Sequence, residues 1–125
     1  MENTVETEFV RLYLEDEILV CHYKRARLIN LDMAREIVGT RLRNFGREPR
    51  PVLIYNLGVV EMDKAARRYV SSGDGVSGIM AAATIADSNF THYIMSLIYR
   101  MERPPMPARS FVDERRAVAW LKTFL

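Results

Sequence analysis

The stretch PVLIYNL, Pro51 to Leu57, limits what this chain can become more than any other. It is a continuous apolar run with no polar alternation. A strand of that kind has both faces covered, as a parallel strand in the middle of a sheet does. Parallel neighbours need long crossovers, and the flanking sequence supplies helix patterns of the right length. Upstream, Met33, Ile37, Val38, Leu42 and Phe45 recur at helical spacing, while Arg35, Glu36, Arg41 and Arg43 fall on the other faces. Asn30 or Asp32 can cap that helix; Gly46 stops it, and Pro49 and Pro51 prevent its renewal. Downstream, Asp63 caps a helix reaching about Ser72, with Ala65, Ala66, Tyr69 and Val70 inward.

The remaining elements extend this pattern. FVRLYLED (Phe9 to Asp16) alternates, with Val10, Leu12 and Leu14 on one face, and ILVCHYK (Ile18 to Lys24) follows an acidic turn, so the two read as an antiparallel hairpin. GIMAAATIA (Gly78 to Ala86) is bounded by glycine and DSN and reads as a short buried strand despite its alanines. Asp87 or Ser88 caps a helix with Phe90, Ile94, Leu97, Ile98 and Met101 on one face, which RPPMP ends. RSFV (Arg109 to Val112) reads as an edge strand. Asp113 caps a last helix carrying Ala117, Trp120, Leu121 and Phe124 at i, i+3, i+4 and i+7. The order is ββαβαβαβα, an α/β fold. Its sheet is mixed and mostly parallel, with four to five strands and helices packed on it, in a single domain over 1–125.

Charge and cysteine usage narrow the functional classes. The chain has a formal net charge of +2, too small to point to nucleic acid. The first 17 residues carry six acids against Arg11 alone, a local −5 that leaves +7 elsewhere and suits a solvated acidic hairpin. Cys21 is the single cysteine, so no internal disulfide can form. MENTVETEFV lacks the basic start and apolar core of a signal peptide, and no apolar run approaches the roughly 20 residues of a membrane span. A cytoplasmic protein, not integral to a membrane, is expected.

No constellation for catalysis, a cofactor or a metal is legible. Gly73-Asp74-Gly75-Val76-Ser77-Gly78 matches G-x-G-x-x-G, but a helix precedes it and a strand follows. Phosphate binding needs the reverse order. Its glycines are expected to serve a helix C-cap and a mobile connection. His22 and Cys21 are neighbours on a strand and so face opposite sides, and His92 has no partner ligands in spacing; structural roles are expected for all three. Glu61, Asp63 and Asp87 are the acids that could converge at strand ends. The many arginines read as solvated helix faces.

The order of elements, with PVLIYNLGVVEMD as central strand, loop and helix cap, resembles the STAS fold of bacterial anti-sigma-factor antagonists. It is more similar still to small bacterial proteins of the STAS and CRAL-TRIO superfamily. The closing RSFVDERRAVAWL carries the phenylalanine strand, acidic cap and A-x-x-W-L helix of such domains at Phe111, Asp113, Ala117, Trp120 and Leu121. In the switching members an Asp is followed by Ser, then Ser or Thr, then Gly. Here only Asp63 matches, and Lys64, Ala65 and Ala66 replace the rest. Ser71 and Ser72 lie toward the other helix end, where the dipole disfavours phosphate. The resemblance implies a non-catalytic protein-interaction module without the phosphorylatable serine. Its expected surface is Asn56, Leu57, Gly58, Asp63, Lys64 and Arg67, and its partner a protein or a second copy in a homodimer. The lipid-binding branch implies the alternative, a carrier of a small apolar ligand with Met80, Phe90, Ile94 and Met95 lining the pocket.

Overall fold

The central strand is where the apolar run demands it. In the computed structural model, which describes residues 4–56 and 59–125, the elements are β1 (Val5–Glu6), β2 (Val10–Glu15), β3 (Ile18–Tyr23), β4 (Ala26–Ile29), α1 (Leu31–Phe45), β5 (Arg50–Tyr55), β6 (Val59–Met62), α2 (Lys64–Val70), β7 (Ile79–Ile85), α3 (Asn89–Glu102), β8 (Ala108–Phe111) and α4 (Glu114–Lys122). The main sheet runs β1-β2-β3-β5-β7-β8. Strand β5 lies between β3 and β7, parallel to both, and Val52 and Leu53 are buried. The β2–β3 hairpin and β1 are antiparallel, while β8 is parallel to β7 at the far edge.

Two features depart from the expected ββαβαβαβα order. The main sheet has six strands rather than four to five, because β1 adds to the hairpin. A second, two-stranded sheet pairs β4 with β6 in parallel, Ile29 opposite Met62. Both strands of that pair have four residues, and each needs the other, some thirty positions away, to exist. Periodicity within a short segment cannot report such a pairing.

The sheet separates two apolar layers. Beneath α1 and α2, Val10, Leu12 and Cys21 pack with Ile29, Ala34, Ile37 and Ala66. On the opposite face, Val20, Leu53, Ala83, Ile85 and Phe111 pack against Ala117 and Leu121 of α4. Each buried Leu or Ile contributes about 1.5–3 kcal/mol, so the two layers together set the stability. Strand β7 shows why its alanines are strand residues: Ala81, Ala82 and Ala83 are all buried, and small side chains let helices approach both faces. A bulge opposite Arg50 and Pro51 displaces Met80, which packs on the α4 side.

The helix starts follow the sequence closely. Asn30, Asp63, Ser88 and Asp113 each accept a hydrogen bond from a backbone N–H of the first helical turn. Gly46, at φ 72°, ends α1. Ala65, expected inward on α2, is exposed; Ala66 alone of that helix is fully buried, with Tyr69 and Val70 packed beside it. The larger departure is Arg41. It was expected on a solvated face, yet it is only 7% exposed. Its Nη1 donates to the carbonyl of Ser77 at 2.6 Å, and its Nη2 donates to those of Asp74 and Gly75, each at 3.1 Å. The glycine-rich segment is therefore not a loose connection. It holds a single 3-10 turn at Gly73–Gly75, clamped onto α1 by Arg41, and the C-cap of α2 is Ser71 rather than a glycine.

Candidate interaction surface

Strands β4 and β6 run parallel and deliver the starts of α1 and α2 side by side. Asn30 follows one strand and Asp63 the other, and the Asp63 N–H donates to the Ile29 carbonyl at 3.0 Å. The Asp63 carboxylate accepts from the Ala66 N–H at 2.8 Å. Its charge sits at the positive end of the helix dipole, a contribution of about 1 kcal/mol. Lys64 and Arg67 are exposed on the same helix, with Arg68 beside them, and Asn56 is half-buried at the end of β5. Leu57 and Gly58, also expected in this surface, lie outside the described residues. No hydroxyl stands at the first three helical positions, which are Lys64, Ala65 and Ala66. Ser71 and Ser72 close the other end, where their hydroxyls donate to the carbonyls of Arg67 and Arg68.

The proposed apolar pocket is not assembled. Met80 packs with the α4 layer, whereas Phe90 and Ile94 on α3 are 73% and 37% exposed and Met95 is half-buried. Among the described residues, shallow open depressions lie elsewhere: one along α4 by Glu114 and Val118, another at Thr4, Arg11, Tyr13 and Glu15. Of the three acids that could meet at strand ends, Asp63 is engaged as a helix cap, and among the described residues no group of three His, Cys, Asp or Glu side chains is placed to hold a metal ion.

A cluster that sequence reasoning did not assemble lies on the α4 side of the hairpin. The Tyr13 hydroxyl and His22 Nε2 are 3.0 Å apart. The His22 ring stacks flat on Tyr55 with centroids 4.3 Å apart, and the Tyr55 hydroxyl donates to Glu114 at the start of α4. The pairing of β2, β3 and β5 aligns these side chains on one face, a signal visible only once the register is known. Burial lowers the His22 pKa, Arg11 lowers it further, and Glu114 opposes both. A histidine held below its ordinary value is more readily protonated in the unfolded chain. Stability therefore falls as pH drops below about 6.5 and is unaffected by this group above that value. Thermal unfolding between pH 7 and pH 5 is expected to show a steeper loss for the native chain than for His22→Gln; parallel curves would contradict the assignment.

Cys21, on the opposite side of the same strand, is fully buried and its thiol is pushed up to about 12 by desolvation, so it is a packing residue at neutral pH. His92 is remote from this cluster; its Nδ1 lies 3.1 Å from the Ser110 hydroxyl.

The parallel core with its antiparallel hairpin has a SpoIIAA-like, that is STAS-like, fold. A crystal structure of an uncharacterised DUF3478-family protein with that fold, from Shewanella loihica PV-4, superposes with a TM-score of 0.60. The match covers 90% of this chain and 91% of that one at 13% sequence identity, a likeness of fold. The chain itself belongs to the family DUF7793, a domain of unknown function, whose model matches residues 12–125. No curated protein matches the chain. Among the described residues, no helix is long and apolar enough to cross a membrane.

Proposed function

We propose that this chain is a non-catalytic, cytoplasmic interaction module of regulatory or scaffolding type, which engages a protein partner through the surface around the start of α2. One observation carries the reading. The resemblance sets the phosphate-receiving position of switching members against a helix start made here of Asp63, Lys64, Ala65 and Ala66, with the Asp63 carboxylate accepting from the Ala66 N–H. A covalent switch has no hydroxyl acceptor at that helix start. The exposed Lys64 and Arg67 give the same surface a mixed charge pattern suited to selecting a partner by electrostatic fit.

Affinity capture from the source cells tests this. A Lys64→Glu/Arg67→Glu chain is expected to lose the partner that the native chain retains, by tenfold or more. Asp63→Asn, which keeps the cap and removes the charge, is expected to weaken capture less. Equal capture by all three would count against the surface.

A further inference from the structure

Helix α3 is turned inside out. His92 and Tyr99 face the sheet, where they meet the hydroxyls of Ser110 and Thr84. Much of the apolar stripe expected to pack inward stays outside: Phe90 is 73%, Ile94 37% and Met101 79% exposed, Leu97 and Ile98 are half-buried, and no residue of this 14-residue helix is fully buried. The spacing of Phe90, Ile94, Leu97 and Met101 is four, three, four, which is a heptad seam with Ile94 and Met101 at a and Phe90 and Leu97 at d. His92 and Tyr99 then fall at f, the position opposite the seam, so the contacts that dock the helix leave Phe90 and Met101 largely uncovered and Ile94 and Leu97 partly so.

We infer that a second copy of this chain covers the seam, α3 packing antiparallel on α3 about a two-fold axis that passes between Ile94 and Leu97. This deepens the interaction-module reading by naming one partner and a separate surface. Charge permits it: residues 89–99 contain no Asp, Glu, Lys or Arg, so two identical faces meet without opposing like charges, in a chain otherwise rich in arginine. Area permits it too. The exposed parts of Phe90, Tyr93, Ile94 and Met101 amount to on the order of 500 Å² per protomer, about 1,000 Å² for the pair, which reaches the size at which specific interfaces begin.

Sedimentation and light scattering of the purified chain from about 5 to 300 μM test it. The native chain is expected to approach the mass of two 14.5 kDa chains within that range. Ile94→Lys and Phe90→Lys, both at exposed positions, are each expected to stay at 14.5 kDa throughout, with circular dichroism and melting within a few degrees of native. A native chain that stays monomeric, or a dimer that survives both substitutions, overturns the seam. Occupation of the same face by phospholipid vesicles or by a different protein, with the chain monomeric, overturns it as well. Capture that depends on Lys64 and Arg67 would persist in either case if the surface at α2 is correct, so the two readings fail separately.

Discussion

Gly75→Ala is expected to lower the unfolding free energy by at least about 3 kcal/mol and the melting midpoint by on the order of 10 °C. A Cβ placed on Gly75 would lie 2.1 Å from the Tyr69 carbonyl oxygen and 2.5 Å from the Val70 Cα. Both are backbone atoms near the end of α2, so no side-chain rotation relieves the overlap. The 3-10 turn and α2 would have to separate, and Tyr69 and Val70 would withdraw from the layer they share with Ile29 and Ala34. Gly73→Ala is the control. Its φ is 49°, but nothing lies within 4 Å of its Cβ, so only the left-handed backbone is strained, at about 1 kcal/mol. Urea unfolding followed by circular dichroism separates the two; a Gly75→Ala loss no larger than that of Gly73→Ala would contradict the packing.

Arg41→Ala is expected to destabilise by about 3–5 kcal/mol. Removing the guanidinium leaves the carbonyls of Asp74, Gly75 and Ser77 without their donor in a site where Arg41 itself is 7% exposed. Arg41→Lys is expected to recover only part of this, because an ammonium cannot fork to three carbonyls on one loop. In a double variant with Gly75→Ala the losses should add to less than their sum, since each loosens the same segment. Full recovery by lysine, or strict additivity, would mean that Arg41 does not hold the loop as a unit.

These two positions mark where the sequence was hard to read. Three glycines at 73, 75 and 78 looked like a nucleotide motif in the wrong order, or like slack. Two of them are set by close approach, Gly75 to the end of α2 and Gly78, at φ 82°, to the backbone of Gly46 and Arg47, whereas Gly73 serves a left-handed turn. Arg41 looked solvated because it lies off the apolar stripe of α1, and no local pattern shows that a loop more than thirty residues later will arrive to cover it. By contrast, the covered strand β5, the alanine strand β7 and the caps Asp63 and Asp113 were legible, because each follows from composition or stereochemistry within a few residues. The closing motif was legible for the same reason. Phe111, Trp120 and Phe124 do pack together, with Arg109 lying 4.9 Å over the Phe111 ring.

Helix α3 is the most informative difference. Its hydrophobic period was correct, but periodicity identifies a face without saying what the face meets. The intramolecular docking goes instead to His92 and Tyr99, and the apolar stripe remains for something else. The apolar pocket failed for the same reason, because Phe90 and Ile94 were assigned to a cavity wall and stand on the outside.

Cross-linking with an amine-reactive reagent in the source cells gives the most direct check that this chain acts by contact at the start of α2. The chain has three lysines, Lys24 on the hairpin, Lys64 at the α2 start and Lys122 at the end of α4, so the position of each cross-link reports one region. Links from Lys64 to peptides of another protein, lost in Arg67→Glu, are the expected result. Links to a partner from Lys24 or Lys122 alone, unchanged by that substitution, would contradict it.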